Sequence, residues 1–471
     1  MKKALLLLVC LFAGFIVRGQ ITFERNYGGS AEDNGSRVLQ MDDGGYLVTG
    51  VTASYGAGGY DIYLIKTNEY GDTIWTKTYG GINNEQSNAM KRTSDGNIII
   101  AGRTSSFGAG NTDCYLLKID QNGETLWLKT YGGSNEDEAF DVIQTLDSGY
   151  ILVGNTLSYG IGMGNIYLIK TNVTGDTVWT KTFGGITFSM GWSVLQVIDG
   201  GFILSGFDMS EDKNMVIIKT NANGDLVWEK NYRFSGGLSY GTTIIKTVDG
   251  GYAIIGTQID STSFSDIKLL KVDTNGDSLF AQTYGGIDNE AGADIIQTND
   301  DGFIITGLTE SFGAGGKDVY LIKTDENGIE QWTKTFGGTG DDWGCFVQQT
   351  TDNGYIITGY TKSFGNNFDV YLIKTDANGH VAGINETEKP NNSINVSPNP
   401  FTTSAQITFN QTYKTIALEV YDIEGKLLLQ NRYADCKQIQ LNRDNLNNGL
   451  YFLKLTLDDK AMETRKVVVS E

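Results

Sequence analysis

Short apolar runs separated by glycine-bearing turns dominate the first 385 or so residues. In the first full unit the runs fall at residues 37–41, 46–52, 61–67 and 73–78, and they are built from Tyr, Ile, Val, Leu, Thr and Trp with no interrupting proline. Such composition favours strands. Asp43-Gly44-Gly45 separates the first two runs and Glu69-Tyr70-Gly71-Asp72 the last two. These turns accept the positive φ that tight hairpins need. The second run, as at residues 98–101, is apolar with almost no alternation, the mark of a strand covered on both faces. No stretch has helical periodicity.

The pattern repeats. Tyr27, Tyr79, Tyr131, Phe183, Tyr284 and Phe336 are each followed by Gly-Gly, and a degenerate copy spans 232–237. Successive copies start 52 residues apart, with a single 49-residue step, a period typical of propeller blades. The seventh unit lacks its fourth run, and residues 21–26 supply one. Phe23 stands where Trp75, Trp127, Trp179, Trp228, Phe280 and Trp332 stand in the other copies. The expectation is an all-β chain: a seven-bladed, four-stranded β-propeller over 20–386, closed by its N-terminal strand. An open solenoid would need polar capping repeats, and none is visible.

The most regular residues read first as structure. The Trp series suits packing between blades. Lys66, Lys118, Lys170, Lys219, Lys271, Lys323 and Lys374 recur at one site in the third run, which suits stem packing or ion pairing. The Trp hairpin resembles the repeat of quinoprotein-type propellers, yet no quinone or calcium ligands can be carried over from that likeness. Two loop series remain as ligand candidates. Tyr55, Phe107, Tyr159, Phe312 and Phe364 form most of an aromatic circle between runs two and three, which units four and five break at 209–212 and 260–264. Asp33, Glu85, Asp137, Glu290 and Asp342 lie six residues after the opening aromatic; Ser189 replaces the acid in unit four and unit five has no clear counterpart. The acids suit turn capping or a cation, calcium being the one kept in view, and no other cofactor is expected. The aromatic face suits a glycan or protein ligand, with a local site near 209–213 and 261–265 that includes Met209 and Phe264.

Charge and rare residues narrow the classes. The net charge of −20 with no basic stripe argues against nucleic acid and anionic membranes. His380 is the single histidine, which removes histidine-based triads and most zinc sites. Residues 1–19 read as a signal peptide: basic Lys2 and Lys3, an apolar stretch, and Val17-Arg18-Gly19 before the cut. No membrane span is expected after its removal. Three cysteines then remain, Cys114, Cys345 and Cys436, so packing rather than disulfides must hold the fold.

After a polar linker at 387–393, residues 394–471 carry about seven short alternating runs, at 394–396, 405–409, 416–421, 427–431, 437–441, 449–457 and 463–469. This predicts a small immunoglobulin-like β-sandwich. Ser397-Pro398-Asn399-Pro400-Phe401, then Val420-Tyr421-Asp422-Ile423-Glu424-Gly425-Lys426, then Leu446-Asn447-Asn448-Gly449-Leu450-Tyr451-Phe452, then Thr464-Arg465-Lys466-Val467-Val468-Val469 resemble the C-terminal sorting domain of type IX secretion substrates in Bacteroidetes. The resemblance implies export to the periplasm, recognition by the outer-membrane translocon, and a final place outside the cell or on its surface. The expected function is that of a non-catalytic binding protein with the propeller as its platform. A polysaccharide lyase or glycosidase and a structural matrix or adhesion protein are the alternatives. A glycosidase needs one specific carboxylate pair, and acids repeated around a ring give no unique pair.

Overall fold

The computed structural model describes residues 20–209, 215–234, 238–259, 264–365, 367–381, 395–398, 401–422, 426–443, 446–458 and 461–470. The signal-peptide and linker segments expected at 1–19 and 387–393 lie outside these. The described residues fall into two compact units, one within Met1–Gly383 and the other within Ile384–Glu471.

The first unit is a ring of seven four-stranded antiparallel sheets. In blade one the strands run Asp33–Gln40, Tyr46–Thr52, Asp61–Thr67 and Thr73–Tyr79 from the inside outwards. The seventh blade takes three strands, Asp342–Gln349, Tyr355–Thr361 and Asp369–Thr375, from late in the chain and its outer strand, Phe23–Tyr27, from the start. Phe23 pairs with Lys374 just as Trp75 pairs with Lys66, so the closing strand adopts the register of its six counterparts. Its side chain is buried with Val38, Tyr46 and Val48 of blade one and Ile356, Val370 and Leu372 of blade seven. Such a core straddles each of the seven blade junctions. Third strands such as Asp61–Thr67 and Asp318–Thr324 are buried along their whole length, which explains their lack of alternation.

The repeated residues hold the ring. Each third-strand lysine pairs with the aspartate of its own blade's first turn: Lys66–Asp43, Lys118–Asp95, Lys170–Asp147, Lys219–Asp199, Lys271–Asp249, Lys323–Asp300 and Lys374–Asp352, at 2.5–3.0 Å. The opening tyrosine reaches the next blade. Tyr27, Tyr79, Tyr131 and Tyr284 each donate a 2.6 Å hydrogen bond to the carbonyl of Gly71, Gly123, Gly175 or Gly328, and Tyr232 in the degenerate copy does the same to Gly276. Gly123 sits at φ 77°, and a Cβ there would lie 2.9 Å from Trp75 Cη2. Glycine is therefore required both by the turn and by the indole of the preceding blade.

Two expectations change. Inner strands begin earlier than the apolar run implies: Asp33 is the first strand residue, paired with Thr52, because polar side chains continue the ladder to the edge of the blade. In the second unit, the segments 405–409 and 416–421 join into one strand, Ser404–Tyr421, and 427–431 and 437–441 into another, Leu427–Asn442. A register shift between Thr408 and Tyr413 lets the first long strand pair with Asn395–Ser397 near its start and with Gly449–Leu457 near its end. The β-fold thus wraps one core, including Ile407, Phe409, Leu418, Leu453 and Val467, with five strands rather than seven.

Candidate functional site

The loop series predicted from sequence are tied into their own blades. Asp33, Glu85, Asp137, Glu290 and Asp342 are fully buried. Each accepts the backbone N–H four residues before it, those of Gly29, Gly81, Gly133, Gly286 and Gly338, at 2.7–2.9 Å. They also bind the loop between strands two and three. Ser54 and Ser158 donate to Asp33 and Asp137, and Thr104 and Thr309 donate to Glu85 and Glu290. Asp342 accepts from both Thr361 and Ser363. Ser189 and Ser239 fill the position in blades four and five, so unit five does have a counterpart. Among the described residues no group of three or more His, Cys, Asp or Glu side chains converges as a metal site would.

Tyr55, Phe107, Tyr159, Phe312 and Phe364 are 41–50% exposed. Tyr55, Tyr159, Phe312 and Phe364 each lie 5.6 Å from a third-strand tyrosine of the same blade: Tyr63, Tyr167, Tyr320 and Tyr371. They stand one to a blade. Met209 and Phe264 are also exposed; residues 210–213 and 261–263 of that proposed local site lie outside the described residues. In the second unit, Pro398 is exposed and Gly449 opens a strand against Val469. Tyr451 is buried and donates to the Asn447 carbonyl at 2.9 Å. Lys466 pairs with Phe452 in the ladder, and Asn399, Pro400 and Gly425 are outside the described residues.

Sequence reasoning missed the centre of the ring. The seven inner strands enclose a cavity of about 670 Å³, within the usual size for a small-ligand site. Every inner strand carries a β-bulge, as between Gly35 and Arg37 or Ala139 and Asp141. A bulge suspends alternation, so consecutive residues such as Phe140 and Asp141, or Ser36 and Arg37, both line the cavity. Phe140 and Trp192, from adjacent blades, meet at 4.5 Å with a 41° tilt. Trp343 and Tyr360 form a second ring pair at 5.8 Å, and both line the cavity. The signal was present: at the bulge the seven copies read Arg37, Ala89, Asp141, Ser193, Thr243, Asp294 and Phe346, a different residue type almost every time, whereas third strands barely change.

The charges in this cavity fall into two groups. Asp141 is buried and already engaged, by the N–H of Val142 and by Ser193 Oγ and the N–H of Val194 in the next blade. Asp294 is buried and accepts the Val347 N–H at 3.1 Å. Burial pushes its carboxyl above the usual range, against the pull of Arg37 and Lys91. Arg37 lies 5.2 Å over the Phe346 ring and donates only to the carbonyl of Ser36. Neither Arg37 nor Lys91 makes an ion pair among the described residues.

Residues 395–470 match the family described as the secretion system C-terminal sorting domain. The C-terminal unit is a type IX sorting domain. Such a domain marks its chain for export to the cell surface or the extracellular space. Among curated proteins the chain is similar to the regulatory protein FlaEY of Caulobacter vibrioides, 27% identical over 160 residues; that match covers 29% of this chain and 17% of the relative. Among solved structures it is similar to the WD40 domain of Pan2 from Neurospora crassa, with a TM-score of 0.46 and 8% identity over 74% of this chain and 97% of that one. Sqt1 from Chaetomium thermophilum gives a TM-score of 0.43 and 12% identity over 77% and 86%. Among the described residues no helix is long and apolar enough to cross a membrane.

Proposed function

We propose that this is a non-catalytic binding protein displayed on or released from the cell surface, carried there through the type IX translocon by its sorting domain, with the central cavity of the ring as its ligand site. One observation supports the cavity above the loop face: Phe140 and Trp192 come from different blades, touch each other, and remain partly open to the cavity. Aromatic surface left open inside a concave site is the usual anchor of a binding pocket. Four of the five loop aromatics, Tyr55, Tyr159, Phe312 and Phe364, instead rest against a tyrosine of their own blade. The variety of the inner-strand residues favours the same reading, since a ring needs only its repeated residues to stack.

The test is to screen the full-length secreted chain against glycan and protein arrays and repeat the positive spots with Phe140→Ala/Trp192→Ala. The expected result is loss of binding by the double variant and retention by Tyr55→Ser/Phe107→Ser/Tyr159→Ser. The reverse pattern moves the site to the loop face.

A further inference from the structure

We infer that the ligand of this cavity is an acidic glycan, a uronate whose sugar ring lies on Phe140 and Trp192 and whose carboxylate is taken by Arg37 and Lys91. The inference rests on the cavity being the binding site. It starts from charge matching. In a chain of net charge −20, most lysines at the repeated positions of the ring have acidic partners among the described residues, Lys334 being an exception. All seven third-strand lysines are paired with turn aspartates. On the outer strands, Lys77, Lys129, Lys181 and Lys230 are paired with acids of the next blade. Arg37 and Lys91, on adjacent inner strands, face the cavity with no such partner. Among the described residues neither carboxylate there forms an ion pair with them: Asp141 is held by three donors and Asp294 by the Val347 N–H, both at the junction with the next blade, and Asp294 acts on Arg37 and Lys91 only from beyond ion-pairing distance. Unmatched cations in a partly enclosed site are costly unless an anion arrives.

The rest of the lining selects a sugar over a hydrophobic acid. Asn34 Oδ1 is buried with no hydrogen-bond partner, and Gln86 and Thr242 also line the cavity. A fatty or aryl carboxylate would leave Asn34 Oδ1 without a donor, at a cost of about 1–3 kcal/mol. A pyranose offers hydroxyls around its edge and an apolar C–H face for the tilted pair of rings. Arg37 is pre-positioned by its stacking on Phe346, which lowers the entropy lost when it binds a planar carboxylate.

Isothermal titration of the full-length chain with trigalacturonate, with its neutral galactose counterpart and with an acetylated triglutamate peptide tests this. Trigalacturonate is expected to bind, and roughly tenfold or more weaker on Arg37→Gln or Lys91→Gln, the usual scale for one charge-assisted hydrogen bond. Lys91→Arg is expected to restore most of the loss, and melting curves of all variants to stay close to the parent. The neutral trisaccharide and the peptide are expected to bind at least tenfold more weakly than the uronate. Equal binding of the neutral sugar, indifferent to Lys91→Gln but lost in Phe140→Ala/Trp192→Ala, would overturn the acidic ligand and leave the cavity as the site. Binding that survives Phe140→Ala/Trp192→Ala would overturn the cavity itself. Preference for the peptide, or no binding of any probe, overturns the glycan.

Discussion

Within every blade the third strand and the first strand have been shaped by different demands. The third strand reads Asp-Val-Tyr-Leu-Ile-Lys-Thr at both Asp318–Thr324 and Asp369–Thr375 and Asp-Ile-Tyr-Leu-Ile-Lys-Thr at Asp61–Thr67. It is buried on both faces, its lysine fixed to a turn aspartate. The first strand keeps only a starting acid or serine, a small residue before the bulge and an apolar residue after it; its cavity-facing positions change from copy to copy. Repetition therefore marks the residues that join blades, and departure from repetition marks the residues free to specialise. If that division holds, damage to the repeated set is felt as instability, and damage to the inner set as lost recognition.

The strongest way to break the comparison is to open the ring. Removing residues 21–27 leaves the Asp369–Thr375 strand unpaired at an edge, and we expect loss of the cooperative melting transition and of soluble protein. Phe23→Ala, a milder form, is expected to cost about 3–5 kcal/mol as a buried aromatic truncation, read by denaturant titration. Trp192→Ala, in the cavity, is expected to cost clearly less in the same titration while abolishing ligand binding; equal losses would erase the distinction.

Acid should act on the repeated set as a group. Asp147 and Asp249 are held down to about 2, and Asp43, Asp199, Asp300 and Asp352 also lie below the usual carboxylate range. For most of them partial burial works the other way, and the lysine ammonium with neighbouring N–H or hydroxyl donors overcomes it; for Asp199 the bond from Lys219 is the largest influence. A depressed folded-state pKa gives stability that is complete above the unfolded value of about 4 and is lost as pH falls through the folded value. Melting temperature is expected to fall steadily between about pH 4 and pH 2, and Lys271→Met should flatten part of that slope. Smaller again, Tyr79→Phe should cost about 0.5–1.5 kcal/mol by removing one interblade hydrogen bond; Phe183 and Phe336 already do without that hydroxyl. Least of all, Phe107→Ser on the exposed loop face is expected to change stability by about 0.5 kcal/mol or less and binding not at all.

The ring was legible because its cause is local and repeated: turn glycines, Trp hairpins and a missing seventh strand can be counted in the sequence. The closing role of Phe23 could be read from alignment with Trp75 and its relatives, since register follows from the hairpin. The cavity was not legible for two reasons. Laying copies over one another draws attention to what they share, and Arg37, Ser193 and Phe346 share nothing but a position. The bulge also turns two successive side chains toward the centre, so a strict two-residue alternation assigns one of each pair to the wrong side. The loop acids were legible as turn caps. Their spacing follows from the N–H four residues earlier that each one must accept. In the sorting domain, short apolar runs were separated where the backbone ladder continues, because a register shift bends a strand without changing its composition.

The closure of blade seven also sets an order in time. Its outer strand is among the first parts of the chain described, Phe23–Tyr27, and its other three end at Thr375; the sorting domain follows from residue 395. A chain cut short anywhere within the ring lacks both the means to close and the signal for export. A chain that carries the sorting domain therefore also carries every strand its ring needs.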